Sequence, residues 1–192
     1  MSDSRKKYSI YRMSVIGLMS AMVFVLTNIR IEIPTPLGQT MLHLGNVMCI
    51  LSGLLFGGTI GGLASGFGSA IFDLFDPAFA PEFWITFITK FVMGYLAGII
   101  SHLKGAGGGD KKQNITGAVI GASAYVVLYI SKTIILQYFI LNSNLEAVMA
   151  VAVTKFIVSS VNALAAVIAS IALEAVLRPA LKSAGVFEKL LN

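Results

Sequence analysis

Three lysines lie deep inside apolar stretches of this 192-residue chain, and their chemistry is the first question that the sequence raises. Lys90 ends the run "FWITFITK", Lys132 interrupts "AYVVLYISKTIIL", and Lys155 ends "VMAVAVTK". An ammonium group inside a bilayer costs at least about 2.5 kcal/mol, so such a residue marks either a partner or a polar cavity. Each lysine alone is equally well explained by an ion pair or a carbonyl contact that holds helices together, with Asp73 as the nearest acidic candidate. Jointly, the three lysines favour an electropositive cavity.

Polar and aromatic side chains lie near the level of these lysines. At about 1.5 Å per helical residue, all three lysines are expected roughly 12 to 15 Å below the same membrane surface. A small-molecule pocket needs a few convergent polar groups and aromatic surfaces, which predicts a binding site there. Trp84 and Tyr138 are also typical interface anchors, and His43 is also a typical helix-start residue. The predicted substrate-binding residues are Gln39, His43, Asn46, Trp84, Lys90, Lys132, Gln137, Tyr138, Asn142 and Lys155.

The motifs of the common enzyme classes are missing from the sequence. It has no G-x-x-x-x-G-K-[ST] phosphate loop, no H-E-x-x-H pair and no cysteine cluster, since Cys49 is the single cysteine. We therefore predict no enzymatic activity, no metal and no cofactor. One enzyme hypothesis remains as an alternative, an intramembrane serine hydrolase with Ser65 or Ser69 as nucleophile and His43 as base. Packing explains both serines better, because they lie in a glycine-rich run.

The elements that would position these residues are apolar helices. The chain is 56% hydrophobic and only 12% charged, which is typical of an integral membrane protein. Since a span needs roughly 20 mostly apolar residues, we predict an all-α compact bundle of six transmembrane helices. Residues 42–75 are also compatible with a re-entrant pair, because only "GGTIGG" separates the two runs. The predicted spans are 13–29, 42–57, 60–75, 83–103, 115–141 and 145–177.

Basic residues predict the orientation of the bundle. Lysine and arginine accumulate in cytoplasmic loops. Of the predicted loops on the opposite side, only one carries a basic residue, Arg30, and those loops also carry Glu32, Asp76, Glu82 and Glu146. We therefore predict cytoplasmic segments at 1–12 and 178–192, a substrate-binding domain at 13–177, and a net charge of +5 that reflects topology rather than nucleic-acid binding. The basic side is formed by Arg5, Lys6, Lys7, Arg12, Lys104, Lys111, Lys112, Arg178, Lys182 and Lys189.

Small residues recur at helical spacing in two places. Gly58, Gly62, Gly66 and Ala70 form a stripe along the third predicted span, which predicts a helix-packing face. The first span carries a weaker stripe of Gly17, Ser20 and Ala21, which could pack within the bundle or face a separate membrane subunit. A homo-oligomeric channel is a further possibility, but the inner halves of the fourth and fifth spans lack the polar stripe that a channel requires.

Residues 33–100 carry a family resemblance. The segment "HLGN", then "LLFGG", "GG", "GFGSA" and a following aspartate, and later "ITKFVMGYLAG", resembles the S components of energy-coupling factor (ECF) vitamin transporters. Its pattern is similar to the branch that includes hydroxymethylpyrimidine- and pyridoxine-type S components. That branch commonly carries aspartate at the position of Asn46.

The resemblance implies a function and partners. An S component captures a vitamin or precursor at the outer face of the bacterial cytoplasmic membrane. It then topples against a transmembrane coupling subunit that two ATP-binding subunits drive. The family's small-residue motif on the first helix, which contacts the coupling subunit, would fall on Gly17 and Ala21, with Ser20 beside them.

The ligand has two predicted classes. The branch resemblance implies a small pyridine or pyrimidine alcohol that stacks on Trp84 or Tyr138, and we prefer this class. The three lysines suit an anionic vitamin such as pantothenate, folate or lipoate through charge-assisted hydrogen bonds, and this class is the alternative. Nickel or cobalt uptake is disfavoured, because the related metal-binding subunits carry a histidine directly after the initiating methionine, whereas this chain begins "MSDS".

Overall fold

The computed structural model describes residues 2–103 and 107–191, with side chains described from residue 10 to 103 and from 107 to 190. Lys104, one of the basic residues used to predict orientation, lies outside this part of the chain. The helices are α1 (Ser2–Thr27), α2 (Gly45–Phe56), α3 (Gly58–Phe75), α4 (Phe83–Ser101), α5 (Lys111–Ile134), α6 (Leu145–Ser183) and α7 (Val186–Leu191). A 3-10 turn covers Ala80–Glu82, and a π-helical segment, Ile135–Ile140, extends α5.

The predicted all-α membrane bundle is confirmed. Four helical segments are long and apolar enough to cross a membrane: Ile10–Thr27, Ala80–Ser101, Lys111–Ile140 and Leu145–Ser183. The segment Gly45–Phe56 is apolar but shorter. A count of six full spans therefore stays a prediction.

The segment predicted as an irregular break after α1 is a β-hairpin. Strand β1 (Arg30–Thr35) pairs antiparallel with β2 (Gly38–His43). Arg30 lies opposite His43, and Thr35 lies opposite Gly38. Gly38 has φ of +120°, which a residue with a side chain rarely adopts. The second predicted span was therefore placed too early at residue 42, because His43 ends a strand and α2 begins at Gly45.

The hairpin leads into α2, which lies at the centre of the bundle. Eleven of its residues are buried, and it packs against α1, α3, α4, α5 and α6. Its 12 residues extend only about 18 Å, whereas a hydrocarbon core is about 30 Å thick. Helix α2 therefore fills only part of the bundle's depth, and the hairpin and a cavity occupy the remainder.

Glycines allow the central helices to approach closely. A Cβ added at Gly61 would lie 2.6 Å from the backbone nitrogen of Gly53 on α2 and 3.0 Å from the carbonyl oxygen of Gly94 on α4. Added Cβ atoms at Gly62 and Gly66 would contact Phe91 and Phe87 of α4 at 2.9 Å. The predicted packing face on α3 is confirmed, and its partner is α4.

Arg178 joins several elements at the end of the bundle opposite the hairpin. Its guanidinium donates to the carbonyl oxygens of Leu54 at 2.6 Å and Gly107 at 2.9 Å, and it pairs with Glu174. It also lies over the ring of Phe187 in α7, 5.4 Å from the centroid. We call this the terminal end, and the opposite one the hairpin end. Because α2 fills the terminal part of the core, the cavity lies toward the hairpin end.

Candidate ligand-binding site

A cavity lies between the hairpin and the hairpin-end halves of α1, α3, α4, α5 and α6. Its free interior is about 40 Å³, and the space between atoms, counted to its open mouth, is about 620 Å³. The interior has room for about two or three water molecules. Its lining residues are Thr27, Thr40, Met41, His43, Ser69, Asp73, Phe79, Thr86, Thr89, Lys90, Tyr125, Tyr129, Lys132, Ser159 and Asn162.

Two tyrosines form the aromatic wall of the cavity. Tyr125 and Tyr129 lie one turn apart on α5, and their rings stack with centroids 5.7 Å apart. The hydroxyl of Tyr129 lies 3.3 Å from the hydroxyl of Thr40, which connects this wall to the hairpin. The wall therefore presents flat apolar surface beside hydrogen-bonding groups, as a heteroaromatic ligand requires.

The three intramembrane lysines gather around this wall, as the sequence predicted. The ammonium of Lys90 lies 3.8 Å from the centroid of the Tyr125 ring. The ammonium groups of Lys132 and Lys155 lie 5.1 Å and 5.4 Å from the centroid of Tyr129. Cation–π contacts of this kind stabilise a desolvated ammonium. Lys90 and Lys132 line the cavity itself, while Lys155 is buried beside it.

Lys90 and Lys132 each have a polar partner. Lys132 forms an ion pair with Glu82, which precedes α4. Lys90 donates a hydrogen bond to the side-chain oxygen of Asn46 in the first turn of α2. Lys155 takes part in no ion pair in the part of the chain whose side chains are described.

His43 lies at the mouth-side end of the cavity lining and is 8% exposed. Burial, with the charges of Lys90 and Arg30, holds the pKa of His43 well below its usual value of 6.5. The imidazole is therefore neutral at pH 7. A neutral imidazole offers one donor and one acceptor, and Nδ1 of His43 has no partner within the described residues.

The hairpin is attached to the neighbouring loop by charge. Arg30 at the start of β1 pairs with Asp76 at 2.6 Å and with Glu32 at 2.8 Å. Its guanidinium also lies 4.9 Å from the ring centroid of Phe72 on α3. The side chain of Arg30 is 23% exposed and that of Asp76 is 11% exposed, so the first pair is only partly screened by water.

The structure brings only part of the predicted set into contact with the cavity. His43, Lys90 and Lys132 line it, and Asn46 lies directly behind Lys90. Trp84 is 55% exposed and lies in an apolar surface groove with residues of α3 and α4. Tyr138 is 41% exposed and packs edge-on against Phe139.

The remaining predicted contacts lie on the periphery of the hairpin end. Gln39 pairs with Pro34 near the tip of the hairpin. Gln137 accepts a hydrogen bond from Ser143 at 3.3 Å, and Asn142 is exposed with φ of +49°. These three residues are absent from the cavity lining.

The serines of the hydrolase alternative take part in packing. Ser65 is fully buried and donates to the carbonyl oxygens of Gly61 at 2.6 Å and Cys49 at 3.1 Å. Ser69 lines the cavity, and its hydroxyl lies 3.9 Å from the Cys49 sulfur. Within the described side chains, neither serine hydrogen-bonds to His43, so the nucleophile–base pair that a hydrolase needs is not formed.

A groove on the outside of α1 and α3 contains the small residues of the first span. Gly17, Ser20 and Ala21 line it together with apolar side chains such as Phe24 and Phe67, and its volume is about 750 Å³. A Cβ added at Gly17 would meet no atom within 4 Å. The small residues therefore leave this groove open on the surface.

A comparison with protein families decides what kind of membrane protein carries this cavity. Residues 7–179 match the family model described as ECF-type riboflavin transporter, S component. The chain belongs to this family. No curated protein and no solved structure matches the chain.

Membership in this S-component family has direct consequences for the site. S components are substrate-binding subunits of transporters and not enzymes, and they work with a membrane energy-coupling module. The chain is therefore the substrate-capture subunit of an ECF transporter, and the cavity is its candidate capture site. The resemblance to S components is confirmed, while the hydroxymethylpyrimidine/pyridoxine branch stays a prediction.

Proposed function

We propose that this S component captures a neutral heteroaromatic vitamin or vitamin precursor that carries hydroxyl groups. Riboflavin, the vitamin in the matched family's description, belongs to this class. Pyridoxine and hydroxymethylpyrimidine, the ligands predicted from the sequence pattern, belong to it as well. The class is narrower than the family, and each of its members has one flat ring system and at least one alcohol.

The observation that carries this proposal is the pairing of the cavity's lysines beside a stacked tyrosine wall. Because Lys132 is neutralised by Glu82, and Lys90 is bound by Asn46 and Tyr125, the cavity does not need a ligand anion. Tyr125 and Tyr129 offer the stacking surface that the sequence assigned to Trp84 or Tyr138. A neutral ring accepting a hydrogen bond from lysine fits these conditions.

An anionic vitamin such as pantothenate, folate or lipoate is the second candidate. Lys155 supports it, because this buried ammonium contacts Tyr129 but forms no ion pair with any described side chain. A ligand carboxylate could reach it only by entering behind Tyr129, since Lys155 does not line the cavity. The neutral class is therefore preferred.

Entry of a ring requires movement at the hairpin end. The free interior of about 40 Å³ is much smaller than the roughly 300 Å³ or more of a typical small-molecule pocket. The hairpin is connected to its surroundings by the Arg30–Asp76 pair and by the Thr40–Tyr129 contact. We propose that these contacts loosen as the ligand enters and re-form around it.

The proposed orientation places the hairpin end outside the cell. Lys111, Lys112, Arg178 and Lys182 lie at the terminal end, which the positive-inside rule assigns to the cytoplasm. Residues 1–12 and 178–192 are then cytoplasmic segments, and 13–177 is the substrate-binding domain of the bacterial cytoplasmic membrane. Both helices at its borders continue past these limits, since α1 begins at Ser2 and α6 ends at Ser183.

The proposed partners are a transmembrane coupling subunit and two ATP-binding subunits. The groove that contains Gly17, Ser20 and Ala21 is the proposed contact surface for the coupling subunit. It is apolar and its small residues admit a helix at short distance, which is how membrane helices associate. After capture, the S component would topple against this partner and release the ligand inward.

The first test is isothermal titration of the protein purified from vitamin-depleted medium. Riboflavin, pyridoxine and hydroxymethylpyrimidine are compared with pantothenate, folate and lipoate. Tight binding of a member of the first group supports the proposal, and tight binding of an acid alone overturns the ligand class. No binding to any of them contradicts the proposed ligand as well as its alternative.

A pair of aromatic variants locates the bound ring. Tyr129→Leu should weaken binding about tenfold, because an aromatic contact contributes about 0.5 to 1.5 kcal/mol beyond its buried area. Trp84→Leu is the matched control and should leave affinity unchanged, since Trp84 lies on the outer surface. The reverse ranking would place the ring at Trp84, as the sequence predicted.

A further inference from the structure

Asp73 is a buried carboxylate that the transport function described so far leaves without a role. It lies one turn before the end of α3, is 4% exposed and lines the cavity. The same wall carries the hydroxyls of Ser69, Thr86 and Thr89, from α3 and α4. The tyrosine wall belongs to α5, and α4 lies between α3 and α5. The cavity therefore has an aromatic side and a side of hydroxyls around one acid.

Asp73 has no cation as its direct partner. Among the described side chains, the acids in ion pairs are Glu32, Asp76, Glu82 and Glu174. Lys90 and Lys132 interact with Asp73 electrostatically, but each is bound to another residue. Thr86 is the hydroxyl neighbour of the Asp73 carboxyl. The acid thus keeps acceptor capacity toward the cavity.

A buried carboxylate requires hydrogen-bond donors. An ionised carboxylate is an acceptor only, and its two oxygens can accept about four hydrogen bonds. Leaving such a group without donors is costly, whereas a hydrogen bond to a charged group is among the stronger ones in proteins. A ligand hydroxyl supplies a donor, while a ligand carboxylate at the same place is repelled.

We propose that Asp73 accepts hydrogen bonds from the hydroxyl groups of the ligand and thereby selects a hydroxylated vitamin over its deoxy or acidic analogue. This inference rests on the proposed function, since it assigns the alcohol part of the neutral ligand to the α3–α4 wall and its ring to Tyr125 and Tyr129. It makes Asp73 a specificity-determining residue of the capture site.

The test is a thermodynamic cycle with two pairs of probes. Riboflavin is compared with lumiflavin, which lacks the ribityl hydroxyls, and pyridoxine with 4-deoxypyridoxine. Each is titrated into the intact protein and into Asp73→Asn. The intact protein should prefer the hydroxylated member of at least one pair by about tenfold or more, and Asp73→Asn should reduce this preference to about threefold or less.

Glu32→Gln is the matched control, because it removes a carboxylate from the same end of the molecule, where Glu32 is 47% exposed and outside the cavity. It should keep the full hydroxyl preference. Asp73→Glu keeps the charge and should retain most of it. If Asp73→Asn fails to fold in gel filtration or thermal melting, Asp73→Ser replaces it under the same criterion.

The outcomes separate the two levels of inference. If the intact protein binds a hydroxylated probe, but Asp73→Asn keeps the same preference for it, the role of Asp73 is overturned and the proposed function stands. The same conclusion follows if Glu32→Gln loses the preference as strongly as Asp73→Asn does. If the intact protein binds neither riboflavin nor pyridoxine, the proposed ligand class falls and the Asp73 assignment falls with it.

Discussion

At the scale of single residues, the cavity shows two ways of holding a buried ammonium. Lys132 has a carboxylate partner in Glu82, whereas Lys90 has the neutral amide of Asn46 and the face of Tyr125. An amide satisfies hydrogen bonding without cancelling charge. The positive charge of Lys90 therefore remains available to polarise an acceptor atom of the ligand, while that of Lys132 is largely used within the protein.

The Lys90–Asn46 contact gives a stability prediction. Asn46→Leu removes the acceptor from a buried ammonium, and we expect the free energy of unfolding to fall by about 1.5 to 3 kcal/mol. Asn46→Asp supplies an opposite charge at the same place and should not lower stability in this way. Thermal melting of both variants in the same detergent measures the difference. Equal melting temperatures for Asn46→Leu and the unchanged protein would show that Asn46 does not support Lys90.

His43 gives a pH prediction. Its folded-state pKa lies below the unfolded value of 6.5, so the unfolded state binds more protons in the interval between the two. Stability should therefore be full above about pH 6.5 and fall with decreasing pH by at most about 1.4 kcal/mol per unit. His43→Gln should flatten this part of the curve. Chemical denaturation between pH 5 and 8 tests it, and an unchanged slope in the variant would assign the dependence to another group.

The sequence revealed the cavity's charges better than its aromatic residues. Lys90, Lys132 and Lys155 were identifiable because an ammonium in an apolar run stands out against the hydrophobic background. Tyr125 and Tyr129 were missed, since tyrosines in an apolar helix look the same whether they face lipid or a cavity. Their spacing of four residues, together with Lys132 three positions later, is the signal that places all three on one helix face.

At the scale of elements, the position of the cavity follows from the shortness of α2. A helix of 12 residues cannot fill the depth of the bundle, and the hairpin that precedes it closes the space above. The alternation in "RIEIPT" is compatible with a strand, but the prolines nearby favoured an irregular loop in the sequence analysis. Pairing with β2 settles the conformation through contacts that no single segment contains.

The crossing of α2, α3 and α4 gives a packing prediction. Gly61→Ala should lower the free energy of unfolding by about 1 to 3 kcal/mol, because the new methyl group meets the backbone of Gly53 and Gly94. Gly17→Ala is the matched control in another helix, where the methyl group meets nothing within 4 Å. It should be neutral or stabilise by about 0.5 to 1 kcal/mol. Melting curves that rank the two variants in the opposite order would contradict this packing.

At the scale of the whole molecule, the bundle separates its tasks between two ends and one side. The hairpin end contains the cavity, the terminal end is closed by Arg178, and the α1–α3 side presents an open apolar groove. The small residues in that groove could be found from sequence, but their direction could not. Helical spacing places Gly17 and Ala21 on one face without showing whether that face is covered by another part of the same chain.

The open groove leads to an assembly prediction. Gly17→Leu or Ala21→Leu should reduce the amount of coupling module that copurifies by about tenfold, since about 1.4 kcal/mol of lost packing suffices for that change. Ligand affinity and melting temperature should stay the same, because neither residue lines the cavity and both are exposed. Ala165→Leu, an equal enlargement at an exposed position of α6, is the control and should preserve assembly. Loss of ligand binding in the Gly17 or Ala21 variants would instead connect this groove to the capture site, and unchanged assembly would place the coupling surface on another side of the bundle.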